Sequence, residues 1–138
     1  MDLAASSAQL GELASSLERI SQKKLKHDVV RHWFQGGEPY FDLFVNTLNN
    51  HLVWFQFTFR GNSICWSEQD PILRTGVTTD YATNDVSFYS ATKTVRLDEE
   101  INPDFLDFTR AVFTLRKAES PFDAILKVLT GHTPPAEI

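Results

Sequence analysis

His27, Asp28 and His32 form the group of side chains that most resembles a metal site. Histidine nitrogens and carboxylate oxygens are common zinc ligands, and a structural site needs four converging ligands. The segment alternates like a β-strand, however, and strand positions five apart point to opposite faces, so the two imidazoles would not converge. No cysteine or carboxylate spacing nearby completes a site. The sequence therefore predicts no metal centre and no cofactor.

Catalytic groups are equally scattered. Cys65 could act as a nucleophile beside a histidine, but it falls within a predicted strand, where a lone cysteine usually behaves as a small hydrophobe. The three adjacent acids at 98–100 precede a predicted helix, where the helix dipole favours solvated carboxylates. The glycine pair at 36–37 fits a tight turn with positive φ angles rather than a phosphate loop, because no helix N-terminus follows it. These patterns favour a non-catalytic protein.

The segment 52–60 carries the strongest structural signal in the chain. Apolar side chains at every second position alternate with a mixed set, as expected for the central strand of an antiparallel sheet. The mixed face combines aromatic and polar side chains, a composition typical of interface hot spots. The residues predicted to bind a partner on this face are Tyr40, Phe44, Trp54, Gln56, Thr58 and Arg60.

Turn residues on both sides of this strand predict its pairing. A three-residue loop at 48–50 would place Val45 opposite Val53 and Phe44 opposite Trp54. A two-residue turn at 61–62 would place Phe57 opposite Trp66. A slip of one residue would set polar against apolar side chains, so the apolar pattern favours a pairing that keeps each face intact.

The remaining elements predict an α+β fold. A leucine stripe favours a helix that begins at Ser6 or Ser7, runs past Ile20 and ends among lysines that complement its dipole. Asn102 and the Ser120-Pro121 pair are start signals for two C-terminal helices. We therefore predict an N-terminal helix, an antiparallel meander of four to six strands, and two C-terminal helices packed on its apolar face. The predicted strands are 28–34, 40–47, 52–60 and 63–67, with weaker strand signals at 73–79 and within 86–97.

Bulk composition limits the classes of function. The chain has 138 residues, 42% hydrophobic and 22% charged, which fits one domain (1–131) followed by a flexible tail (132–138). A net charge of −5 disfavours nucleic-acid binding, despite a basic cluster between Arg19 and Arg31. The longest apolar run is far too short to cross a membrane. With one cysteine and no signal peptide, we expect a soluble, cytoplasmic protein without membrane contact.

Two hypotheses about function remain open at this stage. The favoured one is a protein-interaction module (adaptor, chaperone-like or immunity-like) that binds a protein partner or a second copy of itself through the aromatic and polar face. The alternative is a small-molecule-binding domain, with or without catalysis, whose pocket lies between the sheet and the C-terminal helices. The sequence also leaves open whether the N-terminal helix covers the face that bears Trp54.

Overall fold

The computed structural model describes residues 5–78 and 95–131, which form a seven-stranded antiparallel sheet and three helices. The strands lie in space in chain order: β1 (Glu18–Lys24), β2 (Val29–Gln35), β3 (Phe41–Leu48), β4 (His51–Phe59), β5 (Asn62–Ser67), β6 (Asp70–Thr78) and β7 (Val95–Leu97). The helices are α1 (Ser7–Ser16), α2 (Pro103–Thr114) and α3 (Phe122–Thr130). The α+β meander is confirmed, but the predicted four to six strands are too few.

Helix α1 is shorter than its leucine stripe predicts. Ser6 is the N-cap of the helix and forms a capping box with Gln9. The Ser6 hydroxyl accepts from the Gln9 N–H at 3.1 Å, and Gln9 Oε1 accepts from the Ser6 N–H at 2.8 Å. The helix ends at Ser16, and the residues expected to continue it form β1, where Ile20 is 47% exposed. Pairing with β2 therefore overrides local helix propensity. Because this segment was predicted as helix, β1 is one of the strands missing from the predicted four to six.

The predicted pairing of β3 with β4 is wrong by two residues. Asn49 and Asn50, with φ of 51° and 66°, form a two-residue turn, and a bulge leaves Val53 unpaired. Val45 consequently lies opposite Phe55. The two-residue turn, in which both asparagines adopt the left-handed conformation, moves the register by one residue, and the bulge moves it by one more.

The predicted pairing of β4 with β5 is also wrong by two residues. The turn is Arg60-Gly61, with φ of 48° and 84°, so Phe57 lies opposite Ile64 rather than Trp66. Because side chains alternate with a period of two, an error of two leaves the side chains from Trp54 to Phe59 on their predicted faces.

The turn between β2 and β3 uses its glycines differently from the prediction. Neither Gly36 nor Gly37 has a positive φ; Tyr40 does, at 60°. A Cβ on Gly36 would lie 2.1 Å from the Phe41 ring, so this glycine is needed for close approach to a buried ring.

The apolar face of the sheet is covered by all three helices, and α2 and α3 pack on it through aromatic rings. The Phe57 ring centroid lies 6.0 Å from that of Phe105 and 5.0 Å from that of Phe113, and Phe59 lies 4.7 Å from Phe108. Ala14 of α1 and Leu17, the residue that follows the helix, add two buried side chains to the same core. Phenylalanine rings thus fill the space between the sheet and the C-terminal helices.

The C-terminal helices begin close to their predicted starts. Asn102 caps α2, since its Oδ1 accepts from the backbone N–H groups of Asp104 and Phe105 at 3.1 and 3.2 Å. Helix α3 begins at Phe122, directly after Pro121. Most of the predicted 86–97 strand region and the predicted tail at 132–138 lie outside the described residues. Within the described residues, no helix combines the length and apolar character needed to cross a membrane.

Candidate binding surface

The sheet face opposite the described helices, here called the Trp54 face, is built from β2 to β5. Neighbouring strands supply side chains to it in register: Trp33 lies opposite Phe44, Phe44 opposite Gln56, and Gln56 opposite Cys65. Helix α1 packs on the other face with α2, so it does not cover Trp54. The residues of the Trp54 face on these strands are Arg31, Trp33, Asp42, Phe44, Asn46, Trp54, Gln56, Thr58, Ser63, Cys65 and Ser67.

In one part of this face, neighbouring side chains pack on and hydrogen-bond to one another. The Trp33 ring stacks on Phe44, with centroids 5.6 Å apart and planes within 8°, and its Nε1–H donates to Asp42 Oδ1 at 3.0 Å. Asp42 and Phe44 are 4% and 9% exposed, and Thr58 is 9% exposed. Phe44 and Thr58, both predicted to bind a partner, therefore lie on the predicted face but present little surface.

Trp54 lies in the more open part of the face. It is half-buried and sits opposite Asn46, not opposite Phe44 as predicted. The Arg31 Cζ lies 5.2 Å from the indole centroid, and Arg31 Nε donates to Asn46 Oδ1 at 2.9 Å. Partial burial lowers the pKa of the Arg31 guanidinium, which nevertheless remains charged. Arg31 and Asn46 thus hold one side of the indole ring in a defined position.

Gln56 completes the open part of the face. It is half-buried, two residues along β4 from Trp54 and on the same side of the sheet. We call Arg31, Asn46, Trp54 and Gln56 the Trp54 surface. Two of its four members, Trp54 and Gln56, were predicted. Arg31 and Asn46 were missed, because the sequence analysis did not predict how β2 pairs with β3. The alternation of Arg31 and Trp33 with Val30 and His32 indicates that Arg31 and Trp33 share one face of the strand, and this signal could have found Arg31.

Two other predicted binding residues lie outside the strands, at the far end of the sheet. Tyr40 is half-buried in the turn that precedes β3. Arg60 forms the β4–β5 turn, where its Nε and Nη2 donate to the Glu38 carboxylate at 2.7 and 3.0 Å. Its guanidinium lies 4.7 Å from the Phe59 ring, which belongs to the helix-covered side. The structure therefore groups Phe44, Trp54, Gln56 and Thr58, and separates Tyr40 and Arg60 from them.

An open groove of about 630 Å³ adjoins the Trp54 surface at the connection between β1 and β2. We call it the basic groove, and its lining residues are Lys24, Leu25, Lys26, Val29 and Asn46. Leu25 and Val29 are half-buried, and the Leu25 N–H donates to the Val29 carbonyl at 2.7 Å, which closes the turn. Asn46 belongs to both features, so the groove and the Trp54 surface are continuous.

A second cleft, of about 360 Å³, lies at the opposite end of the molecule, between α1, α2 and the end of β4. Leu13, Phe59 and Phe108 supply its apolar part, and Glu12 and Arg60 are among its polar residues. Its dimensions suit a small ligand.

The candidate chemical groups do not form an active centre in the described part of the chain. No three side chains of the His, Cys, Asp and Glu types lie close enough there to hold a metal ion. Burial raises the pKa of the Cys65 thiol, and the weaker opposing effect of Arg74 does not reverse this, so the thiol is not activated. His32 contacts Thr47 Oγ1 at 3.2 Å on the helix side of the sheet, away from Trp54.

No family model matches this chain, and no curated protein or solved structure is significantly similar to it. Function is therefore inferred from the geometry of the Trp54 face.

Proposed function

We propose that this protein is a non-catalytic interaction module that binds a partner protein through the Trp54 surface. The observation that carries the proposal is a half-buried tryptophan on the sheet face that all three described helices leave uncovered. Tryptophan and arginine are enriched among interface residues that dominate binding energy, and here Arg31 lies directly over the indole of Trp54.

The arrangement of the polar neighbours supports binding rather than simple solvation. Arg31 is fixed by its hydrogen bond to Asn46 and by its contact with the indole, so little side-chain freedom remains to be lost on association. The indole N–H of Trp54 donates to no residue in the described part of the chain. Tryptophan N–H groups usually find an acceptor when buried, so a partner with an exposed carbonyl or carboxylate suits this position.

The experiment compares glutamate substitutions of two apolar side chains, the half-buried Trp54 and the exposed Leu115. Trp54→Glu changes the proposed surface, and Leu115→Glu is the matched control, because Leu115 is 54% exposed at the end of α2. Tagged wild type and both variants are used for affinity capture from the native cell. Proteins whose capture depends on Trp54 are then purified and titrated against wild type and both variants. Sedimentation of the protein alone tests self-association. We expect both variants to fold, Leu115→Glu to bind like wild type, and Trp54→Glu to bind at least about 30-fold more weakly.

Two results would overturn the proposal. If wild type and Trp54→Glu capture and bind the same proteins equally, the Trp54 surface is not an interface. If Trp54→Glu unfolds as extensively as a core substitution, the indole belongs to the protein's own packing.

Small-molecule binding is the second candidate, and the cleft beside α1 is the observation that favours it. The space beneath the C-terminal helices is filled by rings, so a ligand would have to enter this cleft instead. A fragment screen by NMR distinguishes the two functions: specific shifts at Leu13, Phe59 and Phe108 favour the ligand-binding function, whereas shifts at Trp54 on addition of a protein favour the interaction module.

A further inference from the structure

We propose that the partner presents an acidic segment, in which Asp or Glu residues alternate with apolar ones, and that this segment lies along the basic groove beside Trp54. The proposal rests on the interaction function above and names the chemistry of the partner.

The position of Arg31 and of the neighbouring lysines points to this site. Four other arginines lie against carboxylates: Arg60 at 2.7 Å, Arg74 at 3.1 Å, Arg110 at 3.6 Å and Arg116 at 2.7 Å. Arg31 does not, because its described contacts are the neutral Asn46 and Trp54. Among the described residues, Arg19 and Arg96 also lack a carboxylate partner, and Arg19 contacts His32 at 3.5 Å. The positive charge of Arg31 is held in place without an opposite charge beside it.

Three lysines extend this positive region. Lys23 lies directly opposite Arg31 in the β1–β2 ladder, and Lys24 and Lys26 line the basic groove. Within the described residues, no carboxylate comes within 4.0 Å of their ammonium groups or of the Arg31 guanidinium. Two cations therefore line the groove and two more, Lys23 and Arg31, lie beside it, in a protein whose net charge is −5. Complementary charge across an interface speeds association and excludes wrong partners.

The floor of the groove indicates a protein segment rather than a bare polyanion. Leu25 and Val29 are half-buried between the two lysines, so apolar side chains can pack there while neighbouring carboxylates reach the ammonium groups. Single-stranded nucleic acids need exposed aromatic faces for base stacking, but Arg31 already lies over the indole of Trp54. The overall negative charge also opposes a phosphate backbone.

The lysines on β1 also have a simpler structural explanation, and the test must distinguish it from peptide binding. β1 is at one end of the strand order, and charged side chains on such strands prevent edge-to-edge aggregation. In that case, removing the charges would promote aggregation and leave binding by the monomer unchanged.

The experiment measures binding of a fluorescent peptide by anisotropy at low and physiological ionic strength. The probe is an extended peptide that alternates Glu with Val; the comparison probes are the same peptide with Gln for Glu and a single-stranded oligouridylate. The test variant is Lys24→Glu with Lys26→Glu, and the control is Lys117→Glu with Lys127→Glu, which makes the same charge change in the helical layer. Sedimentation confirms that each protein is monodisperse.

We expect the acidic peptide to bind wild type and the control, to bind the groove variant at least about tenfold more weakly, and to lose affinity with salt. The Gln peptide should bind more weakly than the acidic one. The proposal is wrong if the acidic peptide fails to bind at low ionic strength, if the control loses as much affinity as the groove variant, or if oligouridylate binds more tightly than the peptide. Aggregation of the groove variant with unchanged affinity in its monomeric fraction would also overturn it, in favour of edge protection.

The failure of this proposal is distinguishable from that of the proposed function. If a partner that depends on Trp54 binds the groove variant as well as wild type, the acidic segment is wrong and the interaction module stands. If the acidic peptide binds wild type and Trp54→Glu equally, the groove binds acids but the Trp54 surface has no part in it.

Discussion

Arg116 joins the start of the chain to its C-terminal helices, and its removal is the most informative perturbation of the fold. Its Nη1 donates to the carbonyl oxygens of Ala14 and Leu17 at 2.6 and 3.1 Å, where α1 ends. Its Nε and Nη2 donate to the Glu119 carboxylate at 2.7 and 3.1 Å. The guanidinium also lies 4.5 Å from the Phe122 ring centroid, and the side chain is 18% exposed.

The expected cost of Arg116→Ala follows from these contacts. A hydrogen bond from a charged donor contributes about 1.5–3 kcal/mol, and the Ala14 carbonyl keeps only a long bond of 3.4 Å from the Leu17 N–H in its place. The contact with Phe122 adds about 1–2 kcal/mol in a partly desolvated setting. Water can reach part of the vacated site, so we expect a net loss of about 3–4 kcal/mol in the free energy of unfolding. Arg116→Lys should recover part of this, because a lysine keeps the charge but loses the planar fork.

Urea unfolding followed by circular dichroism measures these differences, with Glu119→Gln as the control. The hydrogen bond from Arg116 is the main cause that lowers the pKa of the exposed Glu119 carboxyl. The stability from that pair is therefore present above the unfolded-state pKa of glutamate and is lost as the pH falls through the folded-state pKa. At neutral pH, Glu119→Gln should cost much less than Arg116→Ala. Equal losses for the two variants would show that the bonds to the α1 carbonyls contribute nothing.

Two further predictions concern the core and the acid side of the stability profile. Phe57→Ala removes a fully buried ring and should lower the free energy of unfolding by about 3–5 kcal/mol in a urea titration. Trp54→Ala should lower it by only about 1–2 kcal/mol. Similar losses for the two variants would contradict the assignment of the two faces. The pKa of His32 is lowered by burial and, secondarily, by Arg19, so its contribution to stability is present above the unfolded-state pKa of 6.5 and is lost as the pH falls through its folded-state pKa. Unfolding titrations from neutral to mildly acidic pH should show a decline that His32→Gln reduces, and an identical decline in the variant would exclude His32 as its source.

The faces of the central strands were predictable because alternation is a local property of the sequence. Both hairpin registers were wrong, yet Trp54 and Gln56 remained on one side and Phe55 and Phe57 on the other. Even-numbered errors preserve side-chain orientation, whereas an odd-numbered error would have exchanged the two faces. Face assignment is therefore more robust than strand pairing.

The N-terminal boundary was not predictable, because two interpretations satisfy the same residues. Leu17 is buried as the helical stripe requires, but Ile20 is exposed and belongs to β1. Local propensity continues the helix through this segment, and only the availability of β2 as a partner ends it at Ser16. Backbone pairing with a distant strand carries no local sequence signal of comparable strength.

The fates of the three tryptophans show why residue type alone could not define the binding surface. Trp66 packs toward the helix side, with its ring centroid 6.4 Å from that of Phe55. Trp33 shares the face of Trp54, but Asp42 accepts its N–H and Phe44 covers its ring, so its polar and apolar groups are already used. Trp54 keeps an indole N–H without an acceptor among the described residues, beside an arginine that faces no carboxylate. Carboxylates on a partner could accept from that N–H and neutralise Arg31 together, so the same acidic chemistry satisfies both groups.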